Sequence, residues 1–111
     1  MEQSKVHTYL GFCIRSGKIV YGVDNIAETR KRVYLIIADC SMSENSLKTL
    51  VKEKERLGCP LLKTTEQGLL EKLVHRPSVK GVAIKDNHLA SAILSVAQSD
   101  PKFNLYSGGN N

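Results

Sequence analysis

The 111-residue sequence predicts an α/β protein: a three-layer α/β/α sandwich around a small mixed sheet. Three observations carry that prediction. Apolar stripes at helical spacing alternate along the chain with short β-branched runs. Residues 33–38, VYLIIA, form a continuous apolar run without alternation, as a strand covered on both faces requires. Two polar pairs with capping-box spacing, Ser41 with Glu44 and Thr64 with Gln67, stand just ahead of helical stripes.

In order, Val6, Tyr9, Leu10, Cys13 and Ile14 recur at helical spacing, and Gly17 supplies a left-handed stop to this first helix. Residues 18–21 are β-branched and aromatic over too short a stretch for a central strand, and Gly22 lets the backbone turn sharply after them. Val23, Ile26 and Ala27 give a short second helix one apolar stripe, leaving Asp24, Asn25, Glu28, Arg30 and Lys31 on other faces. After the central strand at residues 33–38, Leu47, Leu50, Val51, Lys54 and Leu57 share one face of a third helix that ends at Gly58. Residues 60–63 read as a short strand, and Leu69, Leu70, Leu73 and Val74 as the stripe of a fourth helix. Residues 79–85 form the last strand of this reading, and Leu89, Ala90, Ile93, Leu94 and Ala97 the last helix. Residues 1–98 are thus expected to be a single domain. Residues 99–111 show no period and read as an irregular C-terminal tail with a fraying Gly-Gly-Asn-Asn end.

Sixteen basic against eleven acidic residues leave a net charge of +5, which permits attraction to phosphate without demanding it. The acids are interspersed, and only Arg30-Lys31-Arg32 and the group Lys72, His75, Arg76 and Lys80 stand out as basic clusters. No apolar run approaches the roughly 18 residues of a membrane span, and the first sixteen residues lack signal-peptide order, so the expected address is cytoplasmic, with no membrane partner. The cysteines, Cys13, Cys40 and Cys59, are odd in number and widely spaced, the pattern of reduced thiols.

Catalysis finds little footing. His7, His75 and His88 are far apart, no His or Cys pair has zinc spacing, and no phosphate-binding glycine loop occurs, so neither metal nor cofactor is expected. Cys40 is the sharpest enzyme candidate, because it follows a buried strand between Asp39 and Ser41, where ligands of open α/β sheets gather. The alternative is a small apolar residue in a strand-to-helix turn whose polar neighbours cap the helix.

Binding chemistry centres on Gly17-Lys18 and Gly22-Val23-Asp24-Asn25. A helix beginning there offers free backbone N–H groups to an anion, and Asp24 and Asn25 can hydrogen-bond base edges. Bulged RNA is read by such a mixture of polar groups and phosphate-holding cations. The plainer reading is that Asp24 or Asn25 caps the helix and Lys18 is solvated.

Taken together, Gly17-Lys18, Gly22 and a helix, the strand Tyr34-Leu35-Ile36-Ile37-Ala38-Asp39, Ser41 and a long helix, a Pro60-led strand, Glu66-Gln67 and Gly81-Val82-Ala83-Ile84 resemble the ribosomal kink-turn RNA-binding protein family. The pattern is most similar to the family's small bacterial ribosomal-protein-like members. The resemblance implies a non-enzymatic protein that recognises a structured, kink-turn-like or bulged RNA, with a ribosome or other ribonucleoprotein as its setting. The residue chemistry and the resemblance together give an expected RNA-binding set of Lys18, Gly22, Val23, Asp24, Asn25, Arg30, Lys31, Thr65, His75, Arg76, Pro77 and Val79. In the second of two RNA-facing loops, at residues 75–79, Arg76 would stack on a base or fork to a phosphate, with Pro77 and Val79 as apolar contacts. The family motif Gly-x-Asn-Glu-x-x-Lys corresponds to residues 22–28, GVDNIAE, where Asp24 replaces Asn, Asn25 replaces Glu, and Glu28 replaces Lys. One positive face joining Lys18, the start of the second helix and Arg76 favours RNA binding. A face broken by Glu28 fits the alternative, a protein-interaction or regulatory module that has lost kink-turn recognition.

Overall fold

The computed structural model describes residues 5–106. Its elements are α1 (Lys5–Arg15), β1 (Ile19–Tyr21), α2 (Val23–Glu28), β2 (Leu35–Ala38), α3 (Glu44–Leu57), β3 (Leu61–Thr64), α4 (Leu69–Val74), β4 (Gly81–Ile84), α5 (Asn87–Ala97) and β5 (Phe103–Leu105). The strands form one sheet in the order β1-β4-β2-β3-β5, with β2 and β3 parallel and every other pair antiparallel. The apolar run ends up at the centre, and all four β2 residues are buried.

Strand side chains alternate between faces, which divides that run between two cores. Leu35 and Ile37 join Val6, Leu10 and Cys13 of α1, the four apolar residues of α4, and Ala90, Ile93 and Ala97 of α5. Ile36 and Ala38 join Ile26 of α2 and Leu50 of α3 on the opposite face. The result is the expected α/β/α sandwich around a mixed sheet, with three helices on one face and two on the other.

The C-terminal tail is a correction. Residues 99–111 were expected to be irregular, yet β5 pairs antiparallel with β3 and completes the sheet, so the folded unit runs past residue 98. Phe103 is buried in the larger core, and the Thr65 and Tyr106 amides donate to the carbonyls of Lys102 and Leu61 at 2.9 and 2.8 Å. A three-residue strand with one buried side chain has no period to detect. The Gly-Gly-Asn-Asn end lies outside the described residues.

The helix starts also differ from the capping boxes. Ser43 rather than Ser41 caps α3, its side chain accepting the Ser46 amide at 3.2 Å. Thr64 is buried in β3, and α4 begins after Gly68, whose φ of 79° is left-handed.

Candidate nucleic-acid interface

Because β1, β2 and β3 point the same way and β4 runs against them, one end of the sheet gathers Gly22, Asp39, Thr64 and Lys80. Gly22 turns the chain there with φ 92° and ψ 145°, a region essentially closed to other residues, while its amide donates to the Gly81 carbonyl at 2.8 Å. It supplies no side-chain cap to α2, so the amides of Val23, Asp24 and Asn25 find no hydrogen-bond partner among the described residues. They line a cleft of about 380 Å³ completed by Asn45, Ser46 and Thr49 of α3. Asp24 and Asn25 are exposed, and the Asn25 side-chain amide donates back to the Tyr21 carbonyl at 2.8 Å. The lining is polar, with one acid and no cation. Val23 is half-buried against the smaller core and contributes its backbone more than its side chain.

Beside this turn lies the second loop. His75 and Ser78 both hold left-handed conformations, with φ of 59° and 70°, which cost energy for residues with a β-carbon. The loop is tied to α4 by the Arg76 amide donating to the Glu71 carbonyl at 3.2 Å and the Ser78 amide donating to the Glu71 carboxylate at 2.9 Å. The Arg76 guanidinium sits 3.9 Å from the centre of the Tyr21 ring. His75, Arg76 and Pro77 are exposed, whereas Val79 packs half-buried against the larger core and is not the free apolar contact expected of it.

Two groups of predicted site residues are not brought here. Lys18 precedes β1, and Arg30 and Lys31 lead into β2, so all three lie at the other end of the sheet. Four residues of extended chain separate Lys18 from Gly22 by about 13 Å. Thr65 is at the right end but three strands from Gly22, and its hydroxyl donates to the Pro101 carbonyl at 3.1 Å, holding the chain that leads into β5.

What the sequence reading missed is the polar network on Asp39. This carboxylate is fully buried and accepts hydrogen bonds from the Leu70 amide at 3.0 Å, the Gly68 amide at 3.1 Å, the Ser41 amide at 3.1 Å and the Ser41 hydroxyl at 2.5 Å. Burial alone would raise its pKa, but the Ser41 hydroxyl and the three amides outweigh it and hold the carboxyl below its ordinary value. Lys80 Nζ donates to Ser41 Oγ at 2.8 Å. A serine beside a lysine invites a nucleophilic reading, but the Ser41 proton is committed to an acceptor-only carboxylate, and a carboxylate with a lowered pKa is a poor base. Cys40 donates its amide to Thr64 Oγ1 at 3.0 Å and sits half-buried in the same turn. Among the described residues, no group of three or more His, Cys, Asp or Glu could hold a metal ion, and no helix is long and apolar enough to cross a membrane.

No family model and no curated protein matches the sequence. Among solved structures, a Bacillus halodurans protein of unknown function is similar over 86% of this chain and 99% of its own, with a TM-score of 0.78 at 14% identity. At that identity the likeness establishes the shared α/β fold.

Proposed function

We propose that the protein is a non-enzymatic RNA-binding protein that recognises a kink-turn-like or bulged RNA at the Gly22 turn and the Arg76 loop. The observation that carries this reading is the contact of Arg76 with Tyr21, which joins two segments 55 positions apart that the family resemblance expects to face RNA together. A guanidinium stacked on an aromatic ring keeps its outer edge and its in-plane donors available to a phosphate or a splayed base. The turn at Gly22 leaves the Val23, Asp24 and Asn25 amides unpartnered among the described residues, and Asp24 and Asn25 add base-edge acceptors and donors. A ribosome or other ribonucleoprotein is the natural setting for such a domain.

A second reading, a protein-interaction module on the same fold, is favoured by the acidic character of α2. Asp24 lines a cleft without a cation, and Glu28 is exposed where the family carries a lysine. The two part in a titration of the purified protein with a kink-turn RNA and an unkinked duplex across a salt series. RNA recognition gives preference for the kinked RNA that survives rising salt. Equal binding to both, or none, leaves the interaction module.

A further inference from the structure

Lys18 and Lys31, displaced from the Gly22 turn, meet two further cations at the other end of the sheet. Lys18, Lys31, Arg32 and Lys85 line a cleft of about 220 Å³ with Gly17 and Tyr34. Three chain segments form its walls, and the sheet fixes them: the Lys85 amide donates to the Lys18 carbonyl at 2.8 Å, and the Tyr34 amide donates to the Ile84 carbonyl at 2.9 Å. Gly17 holds a left-handed φ of 70° that starts one wall. Arg32 lies over the Tyr34 ring, its guanidinium 5.5 Å from the ring centre, so the aromatic side chain positions a cation here as Tyr21 does at the opposite end.

Among the described residues, none of the four cations lies within ion-pair distance of a carboxylate. The neighbouring acid, Asp86, is engaged in capping α5, accepting the Leu89 amide at 2.8 Å. Four cations on one small cleft outnumber this single neighbouring carboxylate and repel one another, and an external anion relieves that repulsion. The cleft is smaller than the usual small-molecule site of about 300 Å³ or more, which favours surface phosphates over a bound nucleotide.

We infer that this basic cleft is a second RNA contact, one that grips backbone phosphates without reading sequence. The choice of RNA over another polyanion rests on the function proposed above, and the geometry adds that the two contacts lie at opposite ends of β1, about 13 Å apart. Phosphates flanking a kink are therefore its expected occupants.

The test uses the full chain and two RNAs, a kink-turn with extended flanking helices and a plain duplex. Lys31→Gln with Lys85→Gln removes two cleft charges, and Lys52→Gln with Lys102→Gln removes two exposed charges elsewhere. The first pair should lower the slope of log affinity against log salt by about 1.4 to 1.8 on both RNAs, while the second leaves it nearly unchanged. Equal slopes for the two pairs overturn the cleft, and if preference for the kinked RNA persists in that case, recognition at Gly22 and Arg76 stands without it. Loss of slope in the cleft variant with no preference for the kinked RNA supports the cleft and removes only the recognition site. Polyglutamate competing as well as duplex RNA would overturn the assignment to nucleic acid.

Discussion

Asp39 and Leu70 are 31 positions apart, yet the carboxylate at the end of β2 accepts the Leu70 amide at 3.0 Å and so caps α4, whose own N-terminal glycine has no side chain to do it. The same carboxylate secures the turn into α3 through Ser41. One ionised group therefore fixes the geometry of the sheet end that carries the candidate site.

Replacing Asp39 with Asn should cost roughly 1.5–3 kcal/mol, because an amide nitrogen would face backbone donors in place of a charged acceptor. The pKa of Asp39 is lowered in the folded state from an ordinary value of 3.8, so its contribution is fully present above that value. It is lost as pH falls through the lower folded value. Denaturant midpoints measured from neutral pH downward should show wild type losing its advantage over Asp39→Asn below about pH 4. A difference that stays constant to pH 2 would contradict the lowered pKa.

Gly22→Ala should destabilise the fold by about 1–3 kcal/mol, since its backbone lies in a region essentially reserved for glycine. Gly17→Ala provides the comparison. There φ is 70°, and an added β-carbon meets nothing within 4 Å, so the cost should be only about 1 kcal/mol. Urea denaturation of both variants tests the ranking.

Local signals made most of this architecture legible from sequence. The unbroken run ending in Leu35, Ile36, Ile37 and Ala38 could satisfy both cores only as a central strand, and Gly58, left-handed at φ 65°, closes α3 where the apolar stripe stops. The misses are long-range. Nothing near α4 announces that Asp39 caps it, because capping-box spacing looks three residues ahead and the actual partner is about thirty away. Strand β5 depends on Phe103 finding a core assembled by earlier elements. The candidate site divides in the same way: Gly22 marks its turn by type alone, but the place of Arg76 over Tyr21, and of Lys18 at the far end, follows from strand order.

Thiol chemistry should separate the cysteines. Burial pushes the Cys13 thiol up to about 11, with the Asp86 charge adding to it, and burial also raises Cys59, against a smaller opposing effect from Lys54. Alkylation of the native protein with iodoacetamide at pH 8 should therefore label half-buried Cys40 first. Loss of the fast phase in Cys40→Ser is the expected check; three thiols reacting at one rate would refute it.

Arg76 and Tyr21 should couple by about 0.5–1 kcal/mol in a double-mutant cycle of Arg76→Ala and Tyr21→Leu, the range for exposed cation–ring pairs. In RNA binding, Arg76→Ala should weaken affinity and reduce the salt slope by about 0.7–0.9, as one phosphate contact requires. Unchanged affinity and slope would leave residues 75–79 as a structural turn.

Glu28 is where this sequence departs most from the family it resembles. It ends α2, exposed, beside a cleft that also contains Arg30 and Arg56. If α2 docks on RNA, Glu28→Lys changes the local charge by two units near phosphates, and affinity for a kink-turn should rise most at low salt, where screening is weak. The control must carry the same charge change without disturbing α2. Glu53 is unsuitable, because its carboxylate pairs with Arg56, whose guanidinium donates to the Ile26 and Thr29 carbonyls at 3.4 and 3.3 Å and so closes the C-terminus of α2. Glu55, exposed on α3, is the better choice. A larger gain from Glu28→Lys than from Glu55→Lys puts α2 against the RNA. Equal gains reduce the effect to net charge, and no gain from Glu28→Lys turns the helix away from RNA and leaves its acidic face to a protein partner.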